Sequence, residues 1–417
     1  MTQPIAKFHE EVSAKLPALT LLTNLGYQFL SPAQALAMRE SLSSVVLVDV
    51  LREVLQQKSI DFQGRRYPLS DAAIYNIIHQ LSHPAMNEGL RIANEKLYDT
   101  LTYGINITEF IEGKKVHATI QLIDWEVPSN NRFHFTEEFE VLNTHGIGKR
   151  IPDIVCFVNG LPWVVIEAKR PDASHTGKPT VEEGISQNIR NQKVDEIPHL
   201  FAYTQLLLAV NGHEGLYGTC GTPAKFWAKW KEEHISEADF SALKNQRLTS
   251  AQRETIFAHR TTKQKQDYLS LLAGGELLVT DQDRLLIALL KPERLLEMTR
   301  LFTLFDKKAG KIVARYQQVF GIKALVERIS TFDDKGARNG GVIWHTTGSG
   351  KSFTMVFLAK ALIWLEALAK CRVVVVTDRV DLEDQLARTF ASGGALSDKD
   401  KKDAMATTGK RLAEQIG

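Results

Sequence analysis

The chain has 417 residues, 44% hydrophobic and 24% charged, with a formal net charge of +2. That length exceeds a single hydrophobic core, so two domains are expected, and the near-neutral balance excludes a generally basic coat for nucleic acid. Widely spaced Cys156, Cys220 and Cys371 exclude a disulfide framework or zinc-ligand spacing, and no signal core or run of about 18 uncharged apolar residues appears. A cytoplasmic protein without a membrane span is the expectation.

Residues 1–115 read mostly as helices. VVLVDVLREVLQ (45–56) sets Val45, Val48, Leu51 and Leu55 at helical spacing, and a second helix is expected around Leu90, Asn94, Leu97 and Leu101. The period then changes. HATIQLIDW (117–125) and RFHFTEEFEVL (132–142) alternate apolar and polar residues, as half-buried strands do. IPDIVCFV (151–158) and PWVVIEAK (162–169) are nearly continuous apolar runs, which strands buried on both faces require. A helix from about Val181 to Val194, the run QLLLAV (205–210) and a short strand GLYGT (215–219) complete a mixed α/β unit. KFWAKWK (225–231) interleaves bases with aromatics, as nucleic-acid surfaces can, but Phe226 and Trp230 read more simply as one core-facing helix edge.

Between 231 and 267 the sequence becomes charged and loses β character. The domain junction is expected there, dividing the chain into 1–245 and 246–417. GELLVTDQDRLLIALL (275–290) resumes apolar structure. From Gly340 the order is strand (GVIWH), Gly-rich turn, helix (KSFTMVFLAKALIWLEAL) and strand (RVVVVTD). That predicts a βαβ unit and a parallel sheet.

The Gly-rich turn, HTTGSGKS (345–352), follows the phosphate-binding pattern GxxxxGK[ST], except that His345 stands at the first glycine. Gly348 and Gly350 let the backbone of Thr347–Gly350 turn tightly and aim N–H groups at phosphate oxygens. The following helix N-terminus adds partial positive charge. Lys351 is placed to reach the β- and γ-phosphates of ATP, and the Ser352 hydroxyl to ligate Mg2+. A turn that binds nothing is the alternative, and the flanking strand and helix weigh against it.

Earlier in the chain, Pro152-Asp153 precede Glu167-Ala168-Lys169. Hydrolysing a phosphodiester at neutral pH needs a divalent cation to polarise the phosphate and activate water. Mg2+ prefers oxygen ligands and keeps several waters, so two carboxylates, Asp153 and Glu167, are a sufficient protein contribution. Glu167 and Lys169, two apart in a strand, share one face, where Lys169 can stabilise the attacking water or developing charge. The pattern alone is weak. Its place at the end of a buried apolar hairpin, where unpaired charge is costly, favours a site.

Register decides whether Asp153 joins. An unbulged two-residue turn at Asn159-Gly160 would put Asp153 opposite Ile166 and turn Glu167 to the wrong face. An odd-length loop, such as Asn159–Leu161, or a bulge is therefore expected, and Pro162 already disfavours a regular ladder. Further on, Glu183, Gln187 and Asn191 fall at i, i+4 and i+8. Gln187 could touch the substrate phosphate or orient Lys169; an exposed polar stripe is the equal alternative.

TGSGKS resembles motif I of superfamily 2 helicases and translocases. Arg315-Tyr316-Gln317-Gln318 resembles their adenine-reading glutamine element, with Gln318 the better placed, although an exposed helix surface would look the same. VVVVTDRVDLEDQL (373–386) resembles motif Ia, in which Thr377, Asp378 and Arg379 would lie near the DNA backbone. NNRF, PDIVCFVNGLPWVVIEAKRP and IPHLFAYTQLLLAVNG, taken with these in order, make the chain similar to the R (restriction and motor) subunit of type I restriction–modification systems.

The resemblance implies an α/β architecture: a PD-(D/E)xK nuclease domain followed by the start of a RecA-like, parallel-sheet motor domain. It implies ATP-driven translocation on double-stranded DNA and Mg2+-dependent double-strand cleavage. It also implies partnership with methyltransferase (M) and specificity (S) subunits, which supply DNA sequence recognition. Two departures stand out. Asn191 occupies the tyrosine position of the family's Gln-x-x-x-Tyr, so that tyrosine's role does not carry over. No acidic magnesium motif, arginine finger or second motor lobe follows motif Ia, so an N-terminal fragment is expected, one that binds nucleotide weakly and does not translocate. The competing readings are a DNA-repair helicase–nuclease and a truncated, non-catalytic docking fragment.

Overall fold

The computed structural model describes residues 11–171, 180–306, 308–346, 350–364, 374–376 and 408–416, with positions 387 and 406. The chain forms two compact units, Met1–Glu297 and Met298–Gly417.

The first unit is built on a six-stranded mixed sheet: β1 (Gln28–Leu30), β2 (Phe133–Glu137), β3 (Ile154–Val158), β4 (Leu161–Ala168), β5 (Leu206–Val210) and β6 (Gly215–Gly218), which lie side by side in that order. β1 and β2 run parallel, as do β4 and β5; the other neighbours are antiparallel. β3, β4 and β5 are buried at every residue, as their unbroken apolar runs require. Helices α1 (Leu16–Asn24) and α2 (Leu90–Tyr103) precede this central hairpin, and α3 (Thr180–Asn191) packs across β4 and β5. Asn94 sits on the apolar face of α2 because it has a structural task. Its amide donates to the carbonyls of Phe201, Ala202 and Thr204 at 2.9, 2.9 and 3.1 Å, tying down the turn that enters β5.

β2 was expected to be half-buried, yet all five residues are buried, because β1 and β3 flank it and both faces are covered. His134 is consequently an enclosed imidazole, pushed down to about 4 by burial and then by Arg132. His199 is also pushed down to about 4 by burial. A histidine held neutral in the fold charges more readily when unfolded, so its contribution is complete above the unfolded value near 6.5 and is lost as pH falls toward 4. The expected result is acid destabilisation with uptake of about two protons between those limits. Equilibrium unfolding against pH measures it, and His134→Phe should remove about one of them.

The β3–β4 hairpin turns on Asn159-Gly160, both left-handed at φ 52° and 84°, the backbone that Asn-Gly supplies most cheaply. Asn159 locks it in place: its amide donates to the Leu122 carbonyl at 2.8 Å, and its carbonyl accepts from Arg132 N at 2.7 Å. A Cβ on Gly160 would lie 2.6 Å from the Leu47 carbonyl oxygen. Gly160→Ala is therefore expected to cost about 1–3 kcal/mol or more, read as a fall in the denaturation midpoint.

The compact unit runs past the junction expected at 245. The charged stretch folds into three helices, α4 (Glu237–Asn245), α5 (Ser250–Phe257) and α6 (Thr262–Ala273), each capped by a side chain: Ser236, Thr249 and Thr261. They fold back onto the first unit. Asn24 donates to the Leu243 and Gln246 carbonyls at 2.9 and 3.0 Å, Tyr268 meets Thr20 at 2.8 Å, and Lys244 pairs with Asp283 at 2.8 Å at the start of α7 (Asp281–Leu290). KFWAKWK is not the expected helix edge either. It is a short 3₁₀ turn followed by a bridge from Ala228 to Tyr217, with Trp230 buried and Phe226 exposed.

The second unit holds a hairpin, Thr303–Asp306 with Gly310–Val313, and helices α8 (Tyr316–Ile329) and α9 (Lys351–Trp364). The expected parallel βαβ unit is not formed among the described residues. GVIWH carries no strand, Val342 and Trp344 are 94% and 92% exposed, and Val374–Val376 are likewise unpaired. Such runs are stabilised by ladder partners on both sides and covering helices, and among the described residues they have no ladder partner. No described helix is long and apolar enough to cross a membrane.

Candidate active site

The hairpin register meets the test set by the sequence. Leu161 opposes Val158 and Pro162 opposes Phe157, but Val164 then opposes Cys156, so Trp163 forms a bulge. The turn has two residues, not the three of an Asn159–Leu161 loop, and the slip comes just after it. Pro162 has no N–H to give the ladder, and Trp163 is fully buried beside Trp125. Because of this one-residue shift Ile166 opposes Ile154, and Asp153 falls opposite Glu167.

Asp153, Glu167 and Lys169 converge. Asp153 Oδ2 accepts from the Ala168 N–H at 2.8 Å and from Lys169 Nζ at 3.0 Å. Lys169 Nζ also donates to the Ala168 carbonyl at 3.0 Å and lies 3.6 Å from Glu167 Oε2. Glu167 is only 2% exposed. Burial first, and then the charge of Asp153, push its carboxyl well above the ordinary value, while Lys169 pulls the other way. The donor set fits a hard divalent cation: carboxylate and carbonyl oxygens, with the Asp153 side chain 19% exposed at the mouth. Among the described residues no three His, Cys, Asp or Glu side chains stand where they could hold one metal ion, so the site's protein donors are the two carboxylates and the carbonyl and not a zinc-type cage.

Helix α3 supports the site from behind. A Cβ on Gly184 would stand 3.1 Å from Ala209 Cβ and 3.4 Å from Glu167 Cβ, so the absent side chain is what lets α3 approach the end of β4. Gln187, three residues on, shares that face and is half-buried. Asn191 is buried, and its carbonyl accepts from the Arg190 guanidinium at 3.2 and 3.3 Å; the polar stripe is therefore not simply solvent-facing.

Sequence reasoning missed a buried ionic network beside the site. Arg260 Nη1 and Nη2 donate to Glu137 at 3.0 and 2.7 Å, and Nη2 lies 2.8 Å from Glu11. Lys15 Nζ stands 3.2 Å from Glu137 and 2.8 Å from Glu138. Burial lowers the Lys15 pKa, but Glu137, Glu11 and Glu138 together outweigh it and hold it raised. The Glu138 N–H in turn donates to the Asp153 carbonyl at 2.9 Å. Partners 123 residues apart leave no local signal.

In the second unit, Gly350 is left-handed at φ 86° and Lys351 opens α9 as an exposed side chain, with Ser352 half-buried. Gln318 is buried, not on an exposed helix surface. Its amide donates to the Gly350 carbonyl and the Thr354 hydroxyl, both at 3.2 Å, and its carbonyl accepts from Arg315 N at 2.9 Å. It thus ties α8 to the base of the Gly-rich turn. Thr347, Gly348 and Ser349, and with them Thr377, Asp378 and Arg379, lie outside the described residues.

Comparison with known proteins bears on both regions. A family model described as "Type I restriction enzyme R protein N terminus" matches residues 7–226, just over half of the chain, and one described as "SWI2/SNF2 ATPase" matches residues 317–417. The type I restriction enzyme HindI endonuclease subunit of Haemophilus influenzae is 32% identical over 85% of this chain and 30% of its own length. The putative type I restriction enzyme MjaIXP endonuclease subunit of Methanocaldococcus jannaschii is 28% identical over 94% of this chain and 35% of its own. A type I endonuclease subunit from Staphylococcus aureus is 22% identical over 82% and 30%. The chain spans about a third of the length of these relatives. Through a family model covering most of the first unit and a relative matched along most of the chain, it belongs to the endonuclease (R) subunit family of type I restriction enzymes.

Proposed function

We propose that this chain carries the cleavage site and the ATP phosphate-binding loop of a type I restriction subunit, in a PD-(D/E)xK nuclease domain and the start of a RecA-like motor domain. The observation that carries the nuclease reading is the Trp163 bulge, which brings Asp153 opposite Glu167 with Lys169 between them. Asp153 and Glu167 would hold Mg2+, which when bound polarises the scissile phosphate and lowers the pKa of a water. Lys169 steadies the attacking water and the charge developing on the phosphate. Gln187 orients the substrate phosphate or Lys169 from the α3 face.

In the motor domain Thr347–Gly350 cradle the phosphates of ATP, Lys351 pairs with the β- and γ-phosphates, and Ser352 would hold the nucleotide's Mg2+. Gln318 sets the loop's position, and Thr377, Asp378 and Arg379 meet the DNA backbone. The whole subunit would translocate double-stranded DNA and cut it, with M and S subunits supplying sequence recognition. Cys156 and Cys220, both buried and neither in a disulfide, suit the reducing cytoplasm that this role implies. Divalent-cation-dependent nicking of plasmid DNA, compared between the wild type and Asp153→Asn, tests the reading.

A further inference from the structure

We infer that Lys169 occupies the seat of the divalent cation when the nuclease site is cation-free, so that loading the site exchanges one cation for another. This rests on the metal-site reading above. The Lys169 ammonium lies 3.0 Å from Asp153 Oδ2, 3.0 Å from the Ala168 carbonyl and 3.6 Å from Glu167 Oε2. Those oxygens come from two adjacent strands and converge on one point, and that point is filled by the nitrogen. Lys169 is itself buried, so the ammonium is enclosed with its acceptors instead of reaching out to solvent.

Mg2+ needs its oxygens at about 2.0–2.1 Å in near-octahedral array. A second positive centre held on the same oxygens would sit within a few ångströms of it, in a largely buried site where like charges repel more strongly than in water. The two cations therefore exclude one another. The reason for the arrangement is electrostatic. Without any cation, two carboxylates, one of them almost wholly buried, would face each other unpaired. Lysine suits the task because it is a compact charge on a flexible four-carbon stem with three donors, able to leave the oxygens without dismantling the hairpin. In this scheme Lys169 becomes available to the substrate only once the divalent cation has taken its oxygens, which keeps the site unarmed until it is loaded.

Mn2+ binding to the full chain, without DNA, separates the alternatives. Lys169→Ala removes the competitor, so Mn2+ is expected to bind about tenfold more tightly, or better, than to the wild type, measured by calorimetry or by electron paramagnetic resonance of free Mn2+. Equal or weaker binding to the variant, with the wild type binding normally, overturns the exchange and leaves the metal site standing. No Mn2+ binding to either protein overturns both. Should Lys169→Ala fail to fold, the wild type supplies the answer: acylation of Lys169, mapped by mass spectrometry, should rise as Mn2+ saturates the site, and an unchanged rate sinks the proposal.

Discussion

Asp153→Asn is expected to reduce divalent-cation-dependent nicking of plasmid DNA roughly a thousandfold while leaving the fold intact. The asymmetry follows from what Asp153 does. One of its oxygens accepts the Ala168 N–H at 2.8 Å, and an asparagine carbonyl can keep that bond, so the β3–β4 end stays closed. What the substitution removes is the ionic partner of Lys169 and, on the proposed reading, one of the two carboxylates that would hold Mg2+. Losing several kcal/mol of charge stabilisation in the transition state corresponds to about three orders of magnitude in rate. Circular dichroism and thermal melting should report a native variant. Wild-type nicking by Asp153→Asn, with the same cation dependence, would remove Asp153 from the cleavage chemistry.

Arg260→Met is expected to cost about 3–5 kcal/mol, the usual result of stripping one partner from a buried ion pair. Glu137 is buried, Glu11 is partly so, and among the described residues Lys15 is the cation left to neutralise them and Glu138. For a unit of this size the loss reads as a fall of roughly 10 °C in the thermal midpoint. The double variant Arg260→Met, Glu137→Gln should recover part of it, because the stranded charge is then gone. The effect should also reach the site. Glu137 pairs with Ile154 on β3, and the Glu138 N–H holds the Asp153 carbonyl, so a loosened β2 end weakens cation binding as well as stability. A single variant that melts with the wild type would show that the network is neutral.

Sequence and structure divide at identifiable places. The strands that build the site were legible because β3 and β4 are buried on both faces, and full burial writes itself as an unbroken apolar run. Glu167 and Lys169 were legible as a pair because a strand alternates faces every residue, a local rule that needs no partner. The end of the Gly-rich turn was legible in the same way: Gly350 takes the left-handed backbone that glycine supplies, and Lys351 opens α9 directly after it. The helices of 237–273 left a signal that their charge obscured: capping residues Ser236, Thr249 and Thr261, with Gln252 and Gln264 three places after the threonines.

Other features depended on contacts between distant segments. Whether Asp153 faces Glu167 or its neighbour turns on one extra residue at Trp163, and that residue bulges because Pro162 cannot donate and the indole finds a buried seat beside Trp125. GVIWH has the composition of a buried strand, yet Val342 and Trp344 are exposed and the run has no ladder partner among the described residues, because composition states what a strand could bury and not what stands beside it. Arg260 meets Glu137 across 123 residues, and Gln318 meets Gly350 across 32. Which residue types share a strand face or a tight turn is a local property, readable along the chain. Which of them meet was decided only by the tertiary structure, because register, burial and ion pairing are energies of contact between segments.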